Sequence, residues 1–265
     1  SSSNEQYLVD GKKNYWLTNG LKRSGWVRVS GRTGGYGVVV GDVVVKNNID
    51  VGGYTTGSYS ECTFVVDGDL TLTGELQMRK NSVVIVTGNL TCGKLFMKDG
   101  ARLYVKGKIT ANDMSYDGDS NQKIYCGGNA IIPHNLDSSR EFKIGGNLEA
   151  HELSLTYTNY YFGGSVKCTK FNAENNDMNL IVDSFECSGT TTLNNRTSLT
   201  VNGNAKTGTI NMYNDSVISV CGDMSSTNEQ SLFQSSKIKF NSCVCFVLFT
   251  FAHYFKLKGC LHHVL

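Results

Sequence analysis

The sequence predicts an all-β chain wound as a single parallel β-solenoid of about ten coils. Three observations predict it: a phrase that recurs about every 19 residues, apolar residues alternating with period two inside that phrase, and a composition rich in turn formers. The chain has 265 residues with 29 Gly and a single proline, Pro133, and only 18% of its residues are charged. No stretch shows the pattern of a long amphipathic helix.

The recurring phrase is clearest at residues 82–110, "SVVIVTGNLTCGKLFMKDGARLYVKGKIT", which holds Val84-x-Val86-x-Gly88 and Leu103-x-Val105-x-Gly107. Taken as a ruler, the glycine falls at Gly68, Gly88, Gly107, Gly128, Gly146, Gly164, Gly203 and Gly222, with Ser184 and Ser242 in two degenerate copies. The residue four before the ruler is apolar almost throughout (Phe64, Val84, Leu103, Ile124, Phe142). So is the residue two before it (Val66, Val86, Val105, Cys126, Ile144). This is a strand with one buried face.

A second apolar column follows the ruler at Leu70, Leu90, Ile109, Ala130 and Leu148, and Phe185 joins it if the copy at Ser184 has lost one residue. A further strand recurs at Leu76-x-Met78, Leu95-x-Met97, Leu153-x-Leu155 and Ile210-x-Met212. One copy has too small a core to fold alone, whereas stacked copies bury a continuous column. Each coil adds about 4.8 Å.

The ruler glycine is expected at a corner that needs a positive φ. The Asn or Asp that often follows it (Asp69, Asn89, Asn129, Asn147, Asn204, Asp223) suits a turn and could bond along the stack. A right-handed coil is expected from the general crossover preference.

Three regions follow. Residues 1–60 hold Trp16, Trp26 and a V-x-V-x-G at Val27–Gly31, and are expected to form an N-terminal cap with an irregular first coil. Residues 61–240 are the solenoid. Residues 241–265 are a hydrophobic tail or cap, uncharged as far as residue 255 but too short for a membrane span. No transmembrane helix is therefore expected. The chain opens "SSSNEQ", without an initiator Met or a signal peptide, as a processed chain or a fragment would.

A net charge of +2 gives no general reason to bind nucleic acid. Cys92, Cys126, Cys168 and Cys187 fall in inward columns and are expected as buried free thiols, with no regular disulfide pairing. Asp117, Asp119 and Asn121 imitate the start of a calcium loop but lack its Gly and Glu, so a polar turn is expected. Cys243, Cys245, Cys260, His262 and His263 lack the pattern of a zinc finger. N-x-S/T occurs at Asn89, Asn195 and Asn214.

Tyr157 and Tyr161 are the candidates for glycan contact, since alternation turns Tyr161 outward and Tyr160 inward. The outward charges, including Arg79, Lys94, Lys123 and Lys143, are read as scattered, without a carboxylate cluster. No catalytic motif, cofactor site or metal site is predicted, and the chain is expected to be non-enzymatic.

The phrases "LYVKGKITA", "VIVTGNLTC" and "FKIGGNLEA" resemble the β-solenoid repeats of secreted, adhesin-like bacterial surface proteins. They also resemble the bactofilins, cytoskeletal solenoids that polymerise end to end. The first resemblance implies a structural or adhesive role at the cell surface, with glycan or cell-wall contact. The second implies a cytoplasmic filament subunit. End-to-end self-association, or continuation of a larger solenoid, fits both. A carbohydrate-binding or polysaccharide-cleaving β-helix is the third expectation.

Overall fold

The computed structural model describes residues 6–9, 15–29, 36–52, 61–118 and 121–240. Every regular element among them is a strand, and every strand pairing is parallel. The result is a parallel β-solenoid of about 11 turns with a spacing near 19 residues.

Each coil has three faces. The first carries the strand before the ruler, as in Val83–Val86, which pairs with Thr63–Asp67 below and Arg102–Val105 above. The second begins two residues after the ruler and the third follows a bend. Leu90–Lys98 and Ile109–Asp117 run through that bend as single strands, so the second and third faces form one sheet.

Alternation sets what goes inside. Val66, Val86, Val105, Cys126 and Ile144 are all buried, as are Leu76, Met78, Leu95 and Met97 on the third face. One apolar core runs the length of the rod. Phe185 pairs with both Val166 and Ala205, so the copy at Ser184 has indeed lost one residue before the second face.

Residues 15–29 and 36–52, placed by the sequence in a cap and an irregular coil, stack as coils in register with the rest. Tyr15 pairs with Gly37 and Tyr36 with Thr63, at separations of 22 and 27 residues. The Val27-x-Val29 phrase is not a ruler copy. It lies on the third face, beside Ile49–Val51. The ruler of that region is Gly41, because Val39 pairs with Val66 two residues before Gly68.

The ruler corner differs from expectation in its physics. Of the eight predicted ruler glycines, only Gly68 has a positive φ, and at 157° it is close to extended. Close approach is what selects glycine. A methyl group on Gly107 would lie 2.6 Å from the carbonyl oxygen of Gly88, and one on Gly146 would lie 2.8 Å from that of Gly128. The glycine N–H itself bonds to that oxygen, at 2.9 Å for Gly107 to Gly88 and for Gly146 to Gly128.

The next residue completes the corner. Asn89 Oδ1 accepts the Lys108 N–H at 2.8 Å, and Asp69, Asn129, Asn147 and Asn204 each accept the equivalent N–H one coil on, at 2.7–2.9 Å. These side chains bond to backbone rather than to one another.

Left-handed residues cluster instead at the corner between the third face and the next first face. Asn81, Asp177, Asn195, Arg196, Asn214 and Asp215 all have φ of 52–62° there. Asn and Asp tolerate this conformation because their short side chains bond locally. Behind it, the buried hydroxyls of Ser82, Thr197 and Ser216 each donate to the carbonyl three residues back, at 2.6–2.7 Å.

The first face is interrupted once: its eight-stranded part ends at Tyr160–Phe162 and a four-stranded part begins at Asn179–Val182. The gap falls where Phe142, Tyr160 and Phe162 crowd the inward columns, with ring centroids 5.4–5.8 Å apart. The second-face sheet carries the stack across it through Val166 and Phe185.

These contacts rank three substitutions. Val105→Asp buries an unpaired charge and is expected to cost several kcal/mol, roughly 3 or more. Gly107→Ala forces two corners apart, at about 1–3 kcal/mol. Asn89→Ala strands one N–H, at about 1 kcal/mol. Exposed Thr91→Ala is the control and should be near neutral. Urea unfolding reads all four, and a Gly107→Ala variant as stable as the control would refute the close-approach account.

Candidate functional site

A connected group of titratable and aromatic side chains runs along the outer side of the first face from Tyr104 to Tyr161. The outward column of the first face there reads Tyr104, Tyr125, Lys143, Tyr161, one residue per coil. Tyr104 and Tyr125 stack with centroids 5.1 Å apart, and Lys143 Nζ sits 5.5 Å from the Tyr125 centroid on the other side. Both faces of the Tyr125 ring are therefore covered.

Glu141 ties the group together. It accepts from the Tyr125 hydroxyl and pairs with Lys123 Nζ at 3.0 Å and Lys143 Nζ at 3.3 Å. Burial alone would raise its carboxyl, but the bonds from Tyr125, Lys123 and Lys143 outweigh this and hold it below the ordinary carboxylate range.

The group continues around the corner. Arg140 pairs with Asp137 at 2.8 Å, donates to buried Gln122 at 3.0 Å, and lies 4.2 Å over the Tyr116 ring. His134 meets the same ring edge-on at 5.7 Å. Burial pushes the Tyr116 phenol up, and burial is also the leading cause that lowers His134. Sequence reasoning missed His134 and Arg140, because they stand outside the repeating columns, and Tyr116, which follows Met78 and Met97 in the inward column of the third face. The irregular "IIPHNLDSSR" around Pro133 was the available signal.

Chemically, this patch presents phenol, ammonium and guanidinium groups along one edge of the rod. Its carboxylates Glu141 and Asp137 are bonded to Lys123, Lys143, Arg140 and the Tyr125 hydroxyl, so anions and donors are matched within the patch.

Tyr161 stands in the outward column beside Lys143, half-buried. Tyr157 lies on the turn before it, 57% exposed, with its N–H bonded to Ser138 Oγ. Tyr160 packs against the core as expected, and burial raises its phenol.

At the imitation calcium loop, Asp117 pairs with Lys98 at 3.2 Å and its carbonyl accepts from Gln122 Nε2. Asp119 lies outside the described residues, as do Cys243, Cys245, Cys260, His262 and His263. Among the described residues no group of three or more His, Cys, Asp or Glu is placed to hold a metal ion. No helix among them is long and apolar enough to cross a membrane.

The outward charges are more ordered than the sequence suggested. Lys94 pairs with Glu75 of the coil below, Lys123 with Glu141 of the coil above, and Arg79 with buried Asp50 in a two-pronged bond at 2.9 and 3.0 Å. A separation of 18 to 29 residues hid these partners. Asn195 and Asn214, the asparagines of two sequons, are corner residues whose amides bond along the stack, Asn214 Nδ2 to Asn194 Oδ1 at 2.7 Å.

Cys62, Cys92, Cys126, Cys168 and Cys187 are buried free thiols. Cys92, Cys126, Cys168 and Cys187 are thus free as expected, and Cys221, which that expectation did not cover, is disulfide-bonded. Cys168 and Cys187 are ladder partners on adjacent coils. Their mutual hydrogen bond, then burial, push the Cys168 thiol up.

No family model, curated protein or solved structure matches this chain.

Burial pushes Cys62 and Cys92 from an ordinary 9.0 up to about 12, and Cys126 to about 11. A raised thiol pKa in the folded state contributes stability that is full below about pH 9 and is lost as pH rises toward 11–12. The midpoint of thermal unfolding is therefore expected to fall across that window. At pH 8, alkylation mapped by mass spectrometry is expected to modify these five thiols only after denaturation. Rapid native labelling of Cys92 or Cys126 would overturn the inward assignment of their columns.

Proposed function

We propose that this chain is a non-enzymatic structural or adhesive rod segment of a secreted or cell-surface bacterial protein. The observation that carries the reading is what the outer polar groups do. Corner asparagines, Lys–Glu pairs and stacked tyrosines bond from one coil to the next, so the surface chemistry serves the continuity of the stack. About 11 turns at about 4.8 Å make a stiff spacer roughly 50 Å long.

The resemblance to adhesin-like surface repeats supports the bacterial setting. The Tyr104–Tyr125–Lys143 edge and the exposed Tyr157 supply the groups for glycan contact, through ring edges and hydrogen bonds. A filament subunit of the bactofilin kind is the second reading. The last described coil favours it, because among the described residues nothing pairs with its far side, and such an edge can template another chain.

Two measurements decide. Incubated with neutral and acidic polysaccharides, the intact chain is expected to retain glycan without generating new reducing ends, and Tyr157→Ala is expected to weaken retention. New reducing ends would refute the non-enzymatic reading. Electron microscopy is expected to show discrete short rods, whereas long filaments would favour the second reading.

A further inference from the structure

The last described coil breaks the burial pattern. One coil earlier, the inward positions Ala205, Thr207, Ile210, Met212, Ile218 and Val220 are each at most 4% exposed. Their ladder partners in the last coil are Met224, Ser226, Gln230, Leu232, Ile238 and Phe240. Of these, Leu232 is 42% and Phe240 58% exposed, and neighbouring Phe233 is 49% exposed. The same columns that form the core therefore emerge at this end.

Among the described residues, the strand Lys237–Phe240 is paired on one side only, with Val217–Val220. The Lys237 N–H bonds back to Ser216 O at 2.9 Å, so alternation turns the N–H and C=O of Ile238 and Phe240 toward the open side. An end with both apolar side chains and free ladder groups fits an apolar segment that can supply backbone pairing.

Such a segment is tethered to the edge. Twenty-five residues, 241–265, follow Phe240 directly, and of residues 243–255 all but Thr250 and His253 are apolar. Tethering makes their encounter with the end intramolecular, at a high effective concentration. We propose that residues 241–265 close the C-terminal end of the solenoid, covering Leu232, Ile238 and Phe240 and pairing with the free edge of Lys237–Phe240. The occupant is this chain's own tail, not a second copy.

Amide exchange in the intact chain tests this, read at Ile238 and Phe240 alongside a dilution series in the ultracentrifuge. Expected are slow exchange at both amides, comparable to the interior strand Val217–Val220, and a monomer at every concentration. Fast exchange at both would overturn the proposal. So would slow exchange that disappears on dilution together with an oligomer, which would make a second copy the occupant. A chain ending at Asn241 is expected to lose protection at Ile238 and Phe240 and to self-associate. Retained protection in a monomeric truncated chain would also overturn it. If the truncated chain does not fold, the full-length double variant Phe246→Asp, Phe249→Asp serves instead. It is expected to lose protection at Ile238 and Phe240 while the Val105 amide stays slow, and unchanged protection there counts against the proposal.

Discussion

The close approach of one corner to the next is the constraint on which the rod depends. At each ruler position the chain turns within hydrogen-bond distance of the corner below, the glycine N–H meeting the carbonyl of the previous glycine at 2.8–2.9 Å in Gly88, Gly107, Gly128 and Gly146. At these four positions a methyl group would lie 2.6–2.9 Å from that carbonyl oxygen, whereas Asp183 takes the same corner between Gly164 and Gly203 in the degenerate copy. The Asn or Asp that follows then fixes the axial step, because its Oδ1 reaches one N–H of the next coil and no other. With the step fixed at one corner, inward columns superpose, and Val66, Val86 and Val105 stack into a continuous core. A single such hydrogen bond contributes only about 1 kcal/mol. Burial of the columns, at about 1.5–3 kcal/mol per large apolar side chain, supplies the larger share of stability. The corner decides which side chains meet, and their burial decides how strongly they hold.

Much of this was legible because the two signals are local and periodic. Alternation within four residues identified the inward face, and the interval between glycines identified the coil. The physical role of the glycine was not legible. A composition of Gly followed by Asn describes a left-handed turn and a crowded corner equally well, and only the position of the neighbouring coil separates them. The left-handed corner was in fact written in Asn81, Gly100, Asp177, Asn195 and Asn214, away from the ruler glycines. The N-terminal coils were hidden by their length. Separations of 22 and 27 residues break the ruler, although Gly41 still stands where the ruler requires it.

The candidate patch shows a second limit. Glu141, Lys123, Tyr125 and Lys143 all fall on or beside repeating positions, yet their partnership depends on an exact register between coils 18 residues apart. Read singly, they look like scattered surface charge. His134 and Arg140 sit on an irregular corner, where no column predicts a neighbour, and there they meet Tyr116 of the Met78 and Met97 column. Asp50 is the extreme case. An acidic residue in an outward strand position would be taken as solvated, but it is fully buried beneath Arg79, which reaches it from 29 residues away.

A solenoid interior is nearly indifferent to which coil it is, since every coil meets the same neighbours. Individuality therefore concentrates where translation fails: at the interrupted first face, at the irregular corner around Pro133, and at the ends. The terminal coil differs in kind from those before it. Gln230 stands in the column of Ile210, and Ser226 in that of Thr207, while Leu232 and Phe240 keep the apolar character of Met212 and Val220. A coil facing only water would be expected to turn polar throughout. A coil facing another identical coil would be expected to stay apolar throughout. This one is mixed, polar at Ser226 and Gln230, apolar at Met224 and Leu232 and at Ile238 and Phe240 of the last described strand. That asymmetry favours a cover that arrives from the Phe240 side and need not span the whole cross-section, which is the geometry available to a short tethered segment.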